Sequence, residues 1–201
     1  MHNWIRTLAS VALVAGAVFG TVVQATSVSE VTVKEMLQNA ELVFEGKVTA
    51  IEVHETVHGM IRTRVTFTVV DVIKGNLKDD SITLGFLGGE SKGKRVTVSR
   101  MQLPELNERG IYFVESPGRN QVHPLYGWSQ GHLKLLLDSD YVERVTTAAG
   151  HPVTGIESTA MKRSGKLSRG AARGLKLGHS GELSTALDKH EFKRQLRARQ
   201  R

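Results

Sequence analysis

The chain contains no cysteine. Disulfides, thiolate nucleophiles and thiolate metal sites are therefore excluded, as is lipid attachment at a processed N-terminal cysteine. In an oxidising compartment such a chain is held by its core alone. Aromatic residues are scarce, 5% of the sequence, which argues against a stacking-rich platform for nucleic acid or sugar. The N-terminus carries no twin-arginine pair, so export through the general pathway, in an unfolded state, is expected. Alternating strands and helices that would build a parallel α/β sheet are also missing.

What is present begins with an export signal. Arg6 is the only lysine or arginine ahead of an uncharged apolar run from Leu8 to Val23. Those sixteen residues are short for a bilayer span of roughly 20. Val23, Gln24 and Ala25 offer a small-residue cleavage site, so residues 1–25 are expected to be a signal peptide removed after Ala25. A periplasmic or secreted protein is the expected product, not transmembrane once processed and not a partner of intracellular nucleic acid.

The net charge of +7 is unevenly placed. From Met161 onward stand twelve of the 27 lysines and arginines but three of the 20 acids, a net of +9 that leaves the remainder at −2. The expected partner of such a tail is an anionic cell-envelope surface or another polyanion.

Along the chain, Thr32-Val33-Lys34-Glu35 has the spacing of a capping box, which predicts a short helix over 33–39. Residues 42–54 are β-rich but switch phase, with Val48 and Ala50 on one face and then Ile51 and Val53 on the other; the switch predicts a bulge or strong bend. Further strands are predicted over 62–73, 81–87, 95–99, 110–115 and 131–137 from alternation between turn residues. Their number and spacing predict a mainly β fold, a small barrel of five or six strands occupying residues 26–141. Residues 142–181, rich in glycine, serine, threonine and alanine, read as a flexible basic linker. Residues 182–201 read as a loosely attached basic helix capped by Ser184, with Leu187, Phe192 and Leu196 apolar.

Three stretches, Leu42-Val43-Phe44-Glu45-Gly46-Lys47-Val48, the run from Thr66 to Gly75, and Gly127-Trp128-Ser129-Gln130-Gly131-His132-Leu133, together resemble a family of uncharacterised exported bacterial proteins with an OB-like β-barrel domain. The residues that carry the likeness are Gly46, Lys74, Gly75, Gly127, Gln130 and Gly131, and the segment from Leu187 to Phe192 is similar to the short helix that ends such chains. The resemblance implies an OB-like fold and export. It carries over no catalytic residue.

Two strings have the letters of active sites. His54-Glu55-Thr56-Val57-His58 fits H-E-x-x-H, whose chemistry needs a helix to bring both imidazoles to one zinc while the glutamate activates water. Here β-branched Thr56 and Val57 and the turn residue Gly59 predict a hairpin, with binding of a metal by His54 and His58 as the alternative. Gly127-Trp128-Ser129-Gln130-Gly131 fits G-x-S-x-G, and Asp138 or Asp140 and then His151 follow in triad order. That elbow requires a helix after the serine, whereas 132–137 alternates as a strand. The prediction is a tight turn with Trp128 packed on the barrel and Gln130 bonded to backbone. Arg62, Arg64, Lys92, Lys94, Arg95 and Arg100 are a candidate basic binding stripe. The leading expectation is a non-catalytic binding or accessory module without a cofactor. The alternatives are a metal-dependent hydrolase using His54, Glu55 and His58 with zinc, and an OB-type inhibitor of a secreted protease.

Overall fold

Thr32 ends an extended segment with φ −92° and starts helix α1, Val33–Asn39, through the capping box the spacing predicts. The Glu35 amide donates to the Thr32 hydroxyl at 3.1 Å, and the Thr32 amide donates to the Glu35 carboxylate at 2.8 Å. The computed structural model describes residues 28–99, 101–157 and 165–200. The expected leader, Arg100 and residues 158–164 of the expected linker lie outside the described residues.

At its other end α1 is closed by a distant side chain. The Lys74 ammonium donates to the carbonyls of Leu37 at 2.6 Å, Gln38 at 3.0 Å and Ala40 at 2.6 Å, placing a cation on the negative end of the helix. Gly75 follows with φ +87°, and a Cβ there would stand 2.3 Å from the Glu41 carbonyl, so glycine is required. Lys74 and Gly75 thus tie the helix to the sheet.

The protein is mainly β. Strands β1 (Leu42–Glu55), β2 (Ile61–Lys74), β3 (Ser81–Leu87), β6 (Arg109–Val114), β7 (His132–Leu137) and β8 (Glu143–Thr147) form one antiparallel sheet in the order β3-β2-β1-β6-β7-β8. Between them β4 (Gly89–Ser91) and β5 (Lys94–Val96) make a small hairpin in place of the single strand expected over 95–99. The predicted break in β1 is real: its register against β2 shifts between Val48 and Ala50, and twice more before that. Ile82, Leu84 and Phe86 of β3 share a hydrophobic cluster with Tyr112 and Val114 of β6, three places away in the strand order, so the sheet coils back over itself. Phe44, Phe67 and Tyr112 meet at the centre of that cluster, with Phe67 and Tyr112 ring centroids 4.6 Å apart.

The six strands do not close into the expected barrel. Their two edges are used by other chain segments. The Leu87 amide of β3 donates to the Val122 carbonyl at 2.9 Å, and on β8 the Val145 amide donates to Leu187 at 2.9 Å while Thr146 bridges Pro152. Each edge backbone is satisfied without the opposite one.

A second correction concerns residues 142–181. They contain β8, β9 (Val153–Ile156) and β10 (Leu175–Leu177), and Val145, Val153, Ile156 and Ala172 are buried in a second cluster on the other face of the sheet. Small polar residues hid these strands because only isolated apolar positions anchor them.

A third correction concerns the C-terminal helix. Helix α2 spans Lys189–Ala198 and is capped by Asp188, whose carboxylate accepts from the His190 and Glu191 amides; Ser184 lies in a preceding 3-10 turn, Leu183–Thr185. Phe192 and Leu196 are fully buried, so the helix is docked, not loosely attached.

Candidate functional site

Helical spacing aligns Lys189, Lys193 and Arg197 of α2 into one stripe beside Phe192 and Leu196. The stripe faces Glu45 of β1, Asp71 of β2 and Glu143 of β8. Glu45 is wholly buried and is held by Lys193, by Lys189 at 3.1 Å and by Arg109 at 3.2 Å. Lys193 also reaches Asp71 at 2.7 Å, Lys189 reaches Glu143 at 2.6 Å and Arg197 reaches Asp71 at 2.8 Å. Burial works to raise the Glu45 and Asp71 carboxyls, but the hydrogen bonds and charges of these cations outweigh it and hold both below the usual carboxylate range. Arg194 pairs with Glu191, and Arg199 donates to the Gln195 and Ile156 carbonyls. Every lysine and arginine from 189 to 199 is therefore engaged within the protein. These are five of the twelve lysines and arginines from Met161 onward, and Lys189, Lys193 and Arg197 dock the helix.

The expected basic stripe is also compensated. Arg62 donates to the carbonyls of Gly85 at 2.9 Å and Gln121 at 2.6 Å. Arg64 pairs with Glu52, Lys94 with Glu55 at 3.6 Å, and Arg95 with Glu90. Lys92 sits at the turn of the β4–β5 hairpin with φ +50°. Arg62 and Arg64 lie on β2, and Lys94 and Arg95 on β5.

The H-E-x-x-H string is a hairpin. His54 and Glu55 end β1, opposite Arg62 and Ile61, and His58 is in the turn closed by the Thr56 amide donating to Met60 at 2.8 Å. His54 is half-buried and His58 exposed. Among the described residues no group of three or more histidines and carboxylates is disposed to hold a metal.

At the G-x-S-x-G string the chain makes a 3-10 turn, Trp128–Gly131, and enters β7 directly. No nucleophile elbow forms. Asp138 binds Arg144 at 2.7 Å within the β7–β8 hairpin, and the His151 ring bonds Ser180 at 2.9 Å, so neither completes a triad with Ser129. Gln130 fulfils its expected backbone role. Wholly buried, it accepts from the Val31 amide at 2.9 Å and donates to the Ser29 and Gly127 carbonyls, both at 3.0 Å. Gly127 has φ +67° and lies so close to Val31 that a Cβ would stand 2.7 Å from its side chain. Gly46 pairs within β1, and Gly131 ends the turn.

Trp128 is the unusual member. Its φ is +60°, a conformation that a bulky side chain adopts at a cost of about 1–3 kcal/mol. The strain is stabilised from below: the indole stacks on His123 with centroids 5.3 Å apart and planes 11° apart, and His123 stands edge-on to Phe86 at 5.0 Å. Burial drives the His123 pKa down to about 3, with the nearby His132 acting in the same direction, and its Nδ1 accepts from the Leu125 amide at 3.2 Å, so the ring is a neutral support. Above it, half-buried Trp128 lines a cleft of about 520 Å³ together with Ser129, Met101, Gln102, Ala149 and Arg169. Among the described residues this lining contains no carboxylate, and Arg169 has no ion-pair partner. Met101 also lines a neighbouring cavity of about 350 Å³, whose apolar wall includes Leu87, Val96, Val98 and Leu103.

One polar cluster was not visible in the sequence. The His132 ring bonds the Glu108 carboxylate at 2.6 Å, Tyr112 donates to it at 3.0 Å and Lys134 pairs with it at 3.0 Å. Burial would raise Glu108, but His132 and Lys134 hold it low, whereas burial and Glu108 together push the Tyr112 phenol up. His132 and Tyr112 are wholly buried and line neither cavity described above, so the cluster pins β6 to β7 inside the fold. Glu108 and His132 are 24 residues apart, a separation without local signature.

Comparison of the chain with protein-family models, with curated proteins and with solved structures gave no match.

Proposed function

We propose that the protein is an exported, non-catalytic binding module with an OB-like domain, and that its binding site is the cleft under Trp128. The observation that carries this reading is the strained, half-buried tryptophan held over a cleft by a neutral buried histidine. Strain at a bulky residue persists where the surroundings over-determine it, and such positions cluster at ligand sites. The OB-like reading is supported by β1, bulged and paired with both β2 and β6, since an OB domain is itself a partly open barrel. OB domains bind through loops such as the one joining the last two barrel strands, and Trp128 stands in the β6–β7 connection. Export rests on the leader-like residues 1–25. No helix among the described residues is long and apolar enough to cross a membrane.

The test is native mass spectrometry of the full chain after incubation with a small-molecule and lipid extract of bacterial envelopes. A bound species of defined mass on the unmodified protein, absent from Trp128→Ala with an unchanged fold by circular dichroism, is the expected result. An unmodified protein that emerges without ligand, or a Trp128→Ala variant that binds equally well, refutes the site.

A further inference from the structure

The two cavities differ in the net charge of their described linings and meet at one residue. Among the described residues, the larger has one charged lining residue, Arg169, which has no ion-pair partner there, with Ser129 and Gln102 on the same lining and no carboxylate. The smaller is walled by Leu87, Val96, Val98 and Leu103, and its two charged lining residues, Glu90 and Arg95, neutralise each other in an ion pair. Met101 belongs to both linings. Its unbranched thioether side chain adapts to an apolar ligand passing over it. A ligand that uses the whole groove must therefore be apolar along one end and anionic at the other, with its length running across Met101.

We infer that the groove takes a long-chain carboxylate: an unbranched acyl chain over Met101 in the apolar cavity, and its head group against Arg169 beside Trp128. This rests on the reading of the Trp128 cleft as the binding site. The physical terms are separable. Each methylene removed from water is worth about 0.8 kcal/mol, so affinity rises with chain length until the apolar cavity is filled. A bidentate guanidinium–carboxylate contact is worth about tenfold in affinity. A free amino acid or short acid gains the second term without the first, and a neutral ester gains the first without the second.

The experiment uses the full chain with Trp4→Phe, which leaves Trp128 as its only tryptophan. Dodecanoate, dodecanoate methyl ester, dodecylamine and butanoate are titrated below their self-association limits, following Trp128 emission. The expected result is saturable binding of dodecanoate, with the ester about tenfold weaker and dodecylamine and butanoate far weaker. Arg169→Gln, at an exposed position, should lower dodecanoate affinity about tenfold, leave ester affinity unchanged, and leave the melting temperature unchanged. Leu103→Gln should weaken acid and ester alike. Equal binding of acid and ester, or of dodecanoate and butanoate, overturns the inference, as does an Arg169→Gln variant that binds dodecanoate normally. If dodecanoate fails while the envelope extract still yields a Trp128-dependent adduct, the acyl assignment falls and the binding-site reading stands. If both fail, both fall.

Discussion

Glu45→Gln tests the argument that α2 is part of the folded domain. Glu45 is wholly buried, and three cations converge on its carboxylate. Replacing one member of a buried ion cluster typically costs about 3–5 kcal/mol, because the partners left behind remain desolvated. Here the cost falls near the lower end. Lys193 keeps Asp71 at 2.7 Å, Lys189 keeps Glu143 at 2.6 Å, and Arg109 keeps Glu143 as well. The expected loss is about 3 kcal/mol, which for a domain of this size lowers the melting temperature by roughly 6–12 °C. The pair Glu45→Leu with Lys193→Met should cost less than the sum of the two single changes, because the buried ammonium is removed together with its buried carboxylate while Asp71 keeps Arg197. The acid limb supplies an independent readout. With the folded pKa depressed, the native state binds fewer protons than the unfolded chain, so this stabilisation is complete above the unfolded carboxylate value of about 4.3 and disappears as pH falls through the lower folded value. Glu45→Gln should flatten that limb. Thermal melts from acid to neutral pH decide the matter. A shift below about 3 °C at neutral pH, with an unaltered acid limb, would refute the claim that the cluster holds the helix.

Phe192→Ala empties a fully buried site on the same helix and should cost about 3–5 kcal/mol in chemical denaturation, with new protease sensitivity between residues 189 and 199. Gln130→Ala strands the Val31 amide and removes the side-chain donor to the Ser29 carbonyl; an expected loss of about 1–3 kcal/mol should be accompanied by fast hydrogen exchange at Val31, and retained protection there would contradict the role given to Gln130. The full chain purified without a polyhistidine tag should carry no stoichiometric zinc by elemental analysis; one zinc per chain, lost on His54→Ala with His58→Ala, would mean that the hairpin rearranges around a metal.

Legibility followed the range of the interactions. Helix α1 was readable to the residue because its start is decided within four positions, Thr32 to Glu35. The bend in β1 was readable because a register shift changes which residues share a face, and the phase switch from Ala50 to Ile51 falls beside the shift between Val48 and Ala50. Strand β8 was missed although it lies in the main sheet, since Val145, Thr146 and Thr147 are buried while threonine in a glycine-rich stretch reads as a turn. Barrel closure was expected from strand number alone; what takes the place of closure, Val122 beside β3 and Leu187 beside β8, depends on non-strand segments that periodicity does not see. At the candidate site, Gln130 and the turn were legible from Gly-x-x-Gln-Gly chemistry. The cleft was not, because Met101, Trp128 and Arg169 belong to three loops brought together by the sheet.

The clearest divergence concerns charge, and it bears on function. Counting residues gave a basic tail and an acidic remainder, which read separately imply an attractive surface for polyanions. In the folded protein part of the tail charge is paired with acids of the remainder: Lys193 lies 148 residues from Glu45 and 122 from Asp71, separations over which sequence carries no pairing information. The long-range partner is what converts a stripe at positions 189, 193 and 197 from a solvated face into a docking face, since Lys193 is buried and a buried lysine without its acid carries a desolvation cost. A formal charge therefore measures what the chain could offer a partner only after its internal pairs are removed. By that measure Arg169, exposed beside a strained tryptophan and without an ion-pair partner among the described residues, has more to offer an anion than buried Lys193 has.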